Sequence, residues 1–196
     1  MEAAFRGVLE QPTFSCLRMD LEPLTVGHLF MLHQVESPFV TGESLNLVDL
    51  MEAVFVCAFP WFKSIHGRGS ICMRPFFYLW GRGVRKLDHK AETDKFIEYW
   101  TANLMAPAIA HQDPEKEAKT CGSPLPFRLL AMLTSKFGKS EREALNTTIL
   151  EANSLWAAMG EIEGHFDIRS ERQNSLWEFK KQMDAQGISP GDELNN

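Results

Sequence analysis

A chain of 196 residues with 44% apolar side chains can bury a core without staples, and its length suits one domain, or one domain with a small helical appendage. The net charge of −6 is uneven: Lys63, Arg68, Arg74, Arg82, Arg85, Lys86 and Lys90 face only Asp88 within residues 63–90, which leaves the remainder strongly acidic. This balance argues against a generally basic nucleic-acid binder, because any polyanion would have to be met by that one segment. The widely separated Cys16, Cys57, Cys72 and Cys121, with no Cys-x-x-Cys pair, argue against a zinc finger or a disulfide scaffold.

The N-terminal stretch carries Glu2 and Glu10 and no basic leader before an apolar run, so no secretory signal is expected and the mature chain is expected to begin here. Thr25 suits an N-cap for a helix through Val26, Leu29, Phe30, Leu32 and Val35, which should stop before Ser37-Pro38. Residues 37–43 are expected to turn, since Pro38 disfavours helical geometry at Ser37 and Gly42 follows. Asn46 and Asp49 then start a second helix, with Leu47, Leu50, Met51, Val54, Phe55 and Ala58 at three- and four-residue steps, closed by Pro60. The longest apolar stretch, residues 53–62, is broken by that proline and is too short to span a bilayer, so no membrane association is expected.

Residues 61–83 mix aromatics, arginines and the glycines Gly67, Gly69, Gly81 and Gly83. They predict a turn, a short helix over 71–79 and another turn. A clear helix follows over 89–105, with Phe96, Tyr99, Trp100, Leu104 and Met105 on or near one face. Residues 108–126, with Pro114, Pro124, Pro126 and Gly122-Ser123, read as a linker between an N-terminal helical domain, 1–107, and a C-terminal helical region, 127–187. In the second region, Leu129, Leu130, Met132 and Leu133 form a helix stopped by Gly138. Ser140-Glu141-Arg142-Glu143 has the form of a capping box, and Thr147 or Thr148 can cap a helix through Ile149, Ala152, Leu155, Trp156, Met159 and Ile162. A further capping box at Ser170 and Gln173 opens a last helix to Gly187, before a frayed tail, 188–196. The fold expected is all-α, an irregular bundle of about seven helices with no substantial sheet.

Chemistry leaves little linear trace. His33/Glu36 and His89/Glu92 are His-x-x-Glu pairs on helices, but the further inward carboxylates of a helical metal site are missing, so no metal is expected. No nucleophile elbow occurs, and neither Gly67-Arg68-Gly69 nor Gly81-Arg82-Gly83 leads into the lysine of a phosphate loop. No catalytic residue and no cofactor is assigned, and the chain is read as a non-enzyme. The basic stretch with Trp61, Phe62, Phe76, Phe77, Tyr78 and Trp80 admits three readings: a buried aromatic cluster, an apolar surface in a basic rim for a protein partner, or a stacking surface for single-stranded nucleic acid.

Two stretches together, Leu24-Thr25-Val26-Gly27-His28-Leu29 with Glu36-Ser37-Pro38-Phe39-Val40-Thr41-Gly42 and the helix to Cys57, then Glu143-Ala144-Leu145 leading into residues 152–164, resemble tail assembly chaperones of long-tailed bacteriophages. The resemblance covers about half the chain and implies a non-enzymatic cytoplasmic protein, working in the host if phage-encoded. Such a protein covers the apolar tape-measure protein until tail-tube subunits assemble around it. Its partners would be proteins, homo-oligomers are compatible with it, and nucleic acid is disfavoured. The 14 Phe and 9 Met suit such cover, since flexible and flat apolar side chains adapt to varied surfaces. Ser37, Pro38, Phe39, Trp61, Phe62, Phe76, Phe77 and Trp80 are the expected partner-binding residues. The alternative is a helical nucleic-acid-associated or regulatory protein using residues 61–90.

Overall fold

The computed structural model describes residues 13–62, 73–105, 109–112, 122–163 and 166–168, with backbone alone for 73–77, 109–112 and 166–168. The helix expected over 170–187, the tail 188–196, Cys72, Cys121 and most of the 108–126 linker lie outside the described residues.

The chain is mainly helical, and its short strands come first. β1 (Phe14–Cys16) and β2 (Met19–Leu21) pair antiparallel in the register Phe14↔Leu21, Ser15↔Asp20 and Cys16↔Met19. A two-residue connection of this hand needs positive φ at both central positions, normally supplied by Asn or Gly. Leu17 and Arg18 adopt it instead, at φ 50° and 65°. Left-handed backbone costs about 1–2 kcal/mol at each such side chain, so the turn has to be held from outside.

Helix α1 (Val26–Gln34) is capped by Thr25, whose hydroxyl accepts from the His28 N–H, while His28 Nδ1 accepts from the Thr25 N–H at 3.1 Å. The helix ends in a Schellman arrangement: Ser37 N–H reaches Leu32 O at 2.9 Å and Glu36 N–H reaches His33 O at 3.0 Å, with Glu36 at φ 52°. Residues 38–41, expected as a turn, form a one-turn helix α2 (Pro38–Thr41), because proline is tolerated at a first helical position and Gly42, at φ 78°, ends the turn in the left-handed region. Helix α3 (Leu47–Cys57) starts on a capping box between Asn46 and Asp49 and buries Leu50, Ala53, Val54, Phe55, Val56 and Cys57, which makes it the central helix.

Helix α4 (Met73–Val84) runs beyond the expected end at residue 79 and through both Gly81 and Gly83. Those glycines lie on its packed side, a Cβ on Gly81 lying 3.6 Å from the Met51 methyl and one on Gly83 lying 4.0 Å from the Arg18 guanidinium. Helix α5 (His89–Leu104) is capped by Asp88, a cap the sequence reading missed, and buries Glu92, Phe96, Tyr99 and Asn103 in one stripe.

Helices α6 (Leu125–Ser135), α7 (Glu141–Asn146) and α8 (Ile149–Ile162) follow. The expected capping box joins Ser140 and Glu143, and Thr148 caps α8. Between the two halves, Val26 N–H bonds Thr147 O at 3.0 Å and Ile149 N–H bonds Leu24 O at 2.8 Å. The hydrophobic core is continuous across the proposed 108–126 division: Leu29, Leu32, Val54 and Phe96 share it with Leu129, Leu133, Ile149 and Ala152. Within that division β3 (Ile109–Gln112) pairs antiparallel with β4 (Phe166–Ile168). Strands of three or four residues are too short for alternation to reveal.

Candidate partner-binding surface

Of the eight residues expected to meet a partner, the six whose side chains are described do not share one exposed face. Ser37 is buried, its carbonyl accepts from the Val40 and Thr41 N–H groups, and its hydroxyl has no hydrogen-bond partner. Pro38 opens α2, and Phe39 turns inward onto Phe96 and Trp100, with ring centroids at 4.5 and 5.9 Å. The Trp61 ring lies against the backbone of Gly27, where a Cβ would fall 2.4–2.6 Å from ring atoms, and its Nε1 donates to Asn146 Oδ1 at 2.9 Å. Trp80 packs on the core and donates to Leu17 O at 2.9 Å. Phe62 is the outward one, 42% exposed. Phe76 and Phe77 belong to the first half of α4, and their side chains lie outside the described residues.

Large apolar side chains in solvent lie elsewhere. On α4, Tyr78 is 65% and Leu79 67% exposed, beside exposed Arg82, Arg85 and Lys86. The Arg82 guanidinium sits 5.8 Å from the Tyr78 ring centre, a cation–π contact one helical turn along. Beside α6, Phe127, Leu130, Ala131, Thr134 and Glu141 line an apolar groove of 580 Å³. Phe127, at its edge, is half exposed and packs edge-on to Phe30 at 4.7 Å. Sequence reading missed Leu79 and Phe127 because periodicity places apolar side chains on a stripe without saying whether anything covers it.

The buried titratable groups hold the fold together. His28 Nε2 donates to Phe59 O at 2.9 Å while Nδ1 accepts from Thr25, so both ring nitrogens of a neutral imidazole are satisfied. Burial, outweighing the backbone hydrogen bonds, depresses its pKa below the usual 6.5. Glu92 accepts from Leu17 N–H at 2.5 Å and from Lys95 Nζ at 2.7 Å. Burial opposes its ionisation, but Lys95 and the Leu17 N–H prevail and hold the carboxyl below its ordinary value. The Cys16 thiol donates to Glu92 O at 3.3 Å. Burial pushes both Cys16 and Cys57 up to about 12, so both are thiols rather than nucleophilic thiolates at neutral pH. Of the His-x-x-Glu pairs, His89/Glu92 has its carboxylate committed to Leu17 and Lys95. Among the described residues no group of three His, Cys, Asp or Glu could hold a metal ion, and no helix is long and apolar enough to cross a membrane.

Compared with known proteins, the chain matches no family model, no curated protein and no solved structure.

Proposed function

We propose that this protein is a non-enzymatic assembly factor of the phage tail-assembly-chaperone kind, which covers apolar helices of a tape-measure-type partner in the host cytoplasm, alone or as a homo-oligomer. The observation that carries the reading is the large apolar area that a helical body with a closed core leaves in solvent, at Tyr78 and Leu79 on α4 and at Phe127 beside the α6 groove. Exposed apolar patches beside charged residues are the usual mark of a protein-interaction surface. The two stretches that resemble the chaperone family lie at α1–α3 and at α7–α8, and their backbones are joined through Thr25 and Thr148.

Co-expression with a tape-measure protein tests the reading. The expected result is a marked rise in the soluble recovery of that protein, and recovery equal to that of the tape-measure protein alone would end the proposal.

A second reading, a nucleic-acid-associated protein, draws on the exposed cations of residues 82–90. Salt separates the two. Binding to a polyanion weakens steeply as salt rises, whereas apolar contact does not.

A further inference from the structure

We infer that the outward face of α4 is a docking strip for an acidic amphipathic helix of another protein, an inference that rests on the protein-binding reading and names the partner's chemistry.

At 100° per residue, Tyr78, Leu79, Arg82 and Arg85 fall within an arc of about 120° and span about 10 Å along the axis, and exposed Lys86 follows in the turn after the helix, where its N–H bonds Gly83 O at 3.4 Å. Arg85 keeps helical register, since its N–H bonds Gly81 O at 3.2 Å. The opposite arc holds Trp80, Gly81, Gly83 and Val84, which pack toward Leu17, Met51, Arg18 and the core. Among its described side chains α4 is thus two-faced: its solvent side carries Tyr78, Leu79 and Arg82, with Arg85 and Lys86 in the turn that follows and no acid among them.

Among the described residues those three cations make no ion pair. The salt bridges there join Lys95 to Glu92, Lys136 to Glu163 and Lys139 to Glu151. The nearest acid in sequence, Asp88, has its carboxylate engaged by the Lys90 and Ala91 N–H groups as the cap of α5. A row of unpaired cations beside exposed Leu79 in an otherwise acidic chain calls for a partner carrying both carboxylates and apolar side chains at helical spacing. Nucleic acid supplies the charge but leaves Leu79 without a complement.

The test uses the full chain and a fluorescent amphipathic peptide of about 20 residues with leucines on one face flanked by glutamates. Its controls are the same peptide with lysines for glutamates and a single-stranded oligonucleotide. The intact protein should prefer the glutamate peptide. Leu79→Asp should weaken that binding about tenfold or more, and Arg82→Glu with Arg85→Glu should reverse the preference to the lysine peptide. All three positions point to solvent, so helical content by circular dichroism should match the parent, with Lys86→Glu as an independent variant. Unchanged binding by these variants, or tighter binding of the oligonucleotide, overturns the inference. In the tape-measure co-expression assay, a Leu79→Asp chain that still rescues solubility refutes the strip and leaves the chaperone reading intact. A parent chain that prefers the glutamate peptide but rescues nothing refutes the chaperone reading and leaves the strip.

Discussion

Helices α4 and α5 are consecutive, joined by residues 85–88, yet they place polarity in opposite directions. α5 turns Glu92, Tyr99 and Asn103 inward, while α4 turns Tyr78 and Leu79 outward. The inward polar stripe has a clear cause. The segment between β1 and α1 is extended or turned, and its backbone groups need partners. α5 supplies three of them: Glu92 to Leu17 N–H, Tyr99 OH to Glu22 O at 2.9 Å, and Asn103 Oδ1 to Leu24 N–H at 3.1 Å. Among the described residues nothing comparable accounts for Tyr78 and Leu79. The difference separates side chains kept for stability from side chains available to a partner.

The largest effect should come from breaking the inward stripe. Glu92→Ala leaves the Leu17 N–H buried and unpaired beneath a turn at positive φ, and should lower stability by about 2–4 kcal/mol in urea titration. Glu92→Gln, which keeps an acceptor, should lose less. A loss below about 0.5 kcal/mol for the alanine variant would show that the hairpin does not depend on α5.

Next comes Gly27→Ala, which drives a methyl into the Trp61 ring. It should cost about 1–3 kcal/mol, and the same substitution in a Trp61→Ala chain should cost clearly less. Additive losses in that double-mutant cycle would mean that Trp61 is not seated on α1.

A smaller, pH-dependent term belongs to His28. Its folded pKa lies below its ordinary 6.5, so in acid the unfolded chain takes up this proton first. The stabilisation is complete above pH 6.5 and declines as pH falls through the folded value. The depressed Glu92 carboxyl acts in the same direction, but only below its ordinary 4.5. His28→Asn should therefore flatten stability as pH falls from neutrality past 6.5, as read from urea midpoints, while leaving the loss below 4.5 in place. A profile unchanged in that window would remove His28 as its source.

The smallest effect is expected on the outward strip. Leu79→Asp should shift stability by no more than about 0.5 kcal/mol, the range of substitutions that touch no packed neighbour. A larger loss by thermal melt would mean that Leu79 is packed, and the contrast between the two helices would fail.

Features that depend on a few neighbouring residues were legible in the chain. Thr25, Asn46 and Ser140 cap helices where their spacing said they would, and Thr148 is the cap of the two threonines left open, because a cap is a bond between a side chain and a backbone group two or three residues away. The length of α4 was not legible. Gly81 and Gly83 read as breakers, yet the helix runs through both on its packed side, where a Cβ would meet Met51 and Arg18 only at ordinary contact distance. Which of the aromatics are exposed was not legible residue by residue. Trp61, Phe39 and Trp80 are as aromatic as Tyr78, and what separates them is the Gly27 backbone, Phe96 and Leu17 O.

The amino-acid sequence by itself determined the helical class, the caps at Thr25, Asn46 and Ser140 and the concentration of cations in residues 63–90, all of which follow from local spacing and composition. Tertiary structure decided which side of each helix is covered. It placed Glu92 and Asn103 under backbone groups 75 and 79 residues away, and it left Tyr78 and Leu79 in solvent. The physical reason is that burial belongs to pairs of surfaces. A helical period specifies that an apolar face exists, whereas a partner element, within the chain or outside it, decides whether that face is core or contact.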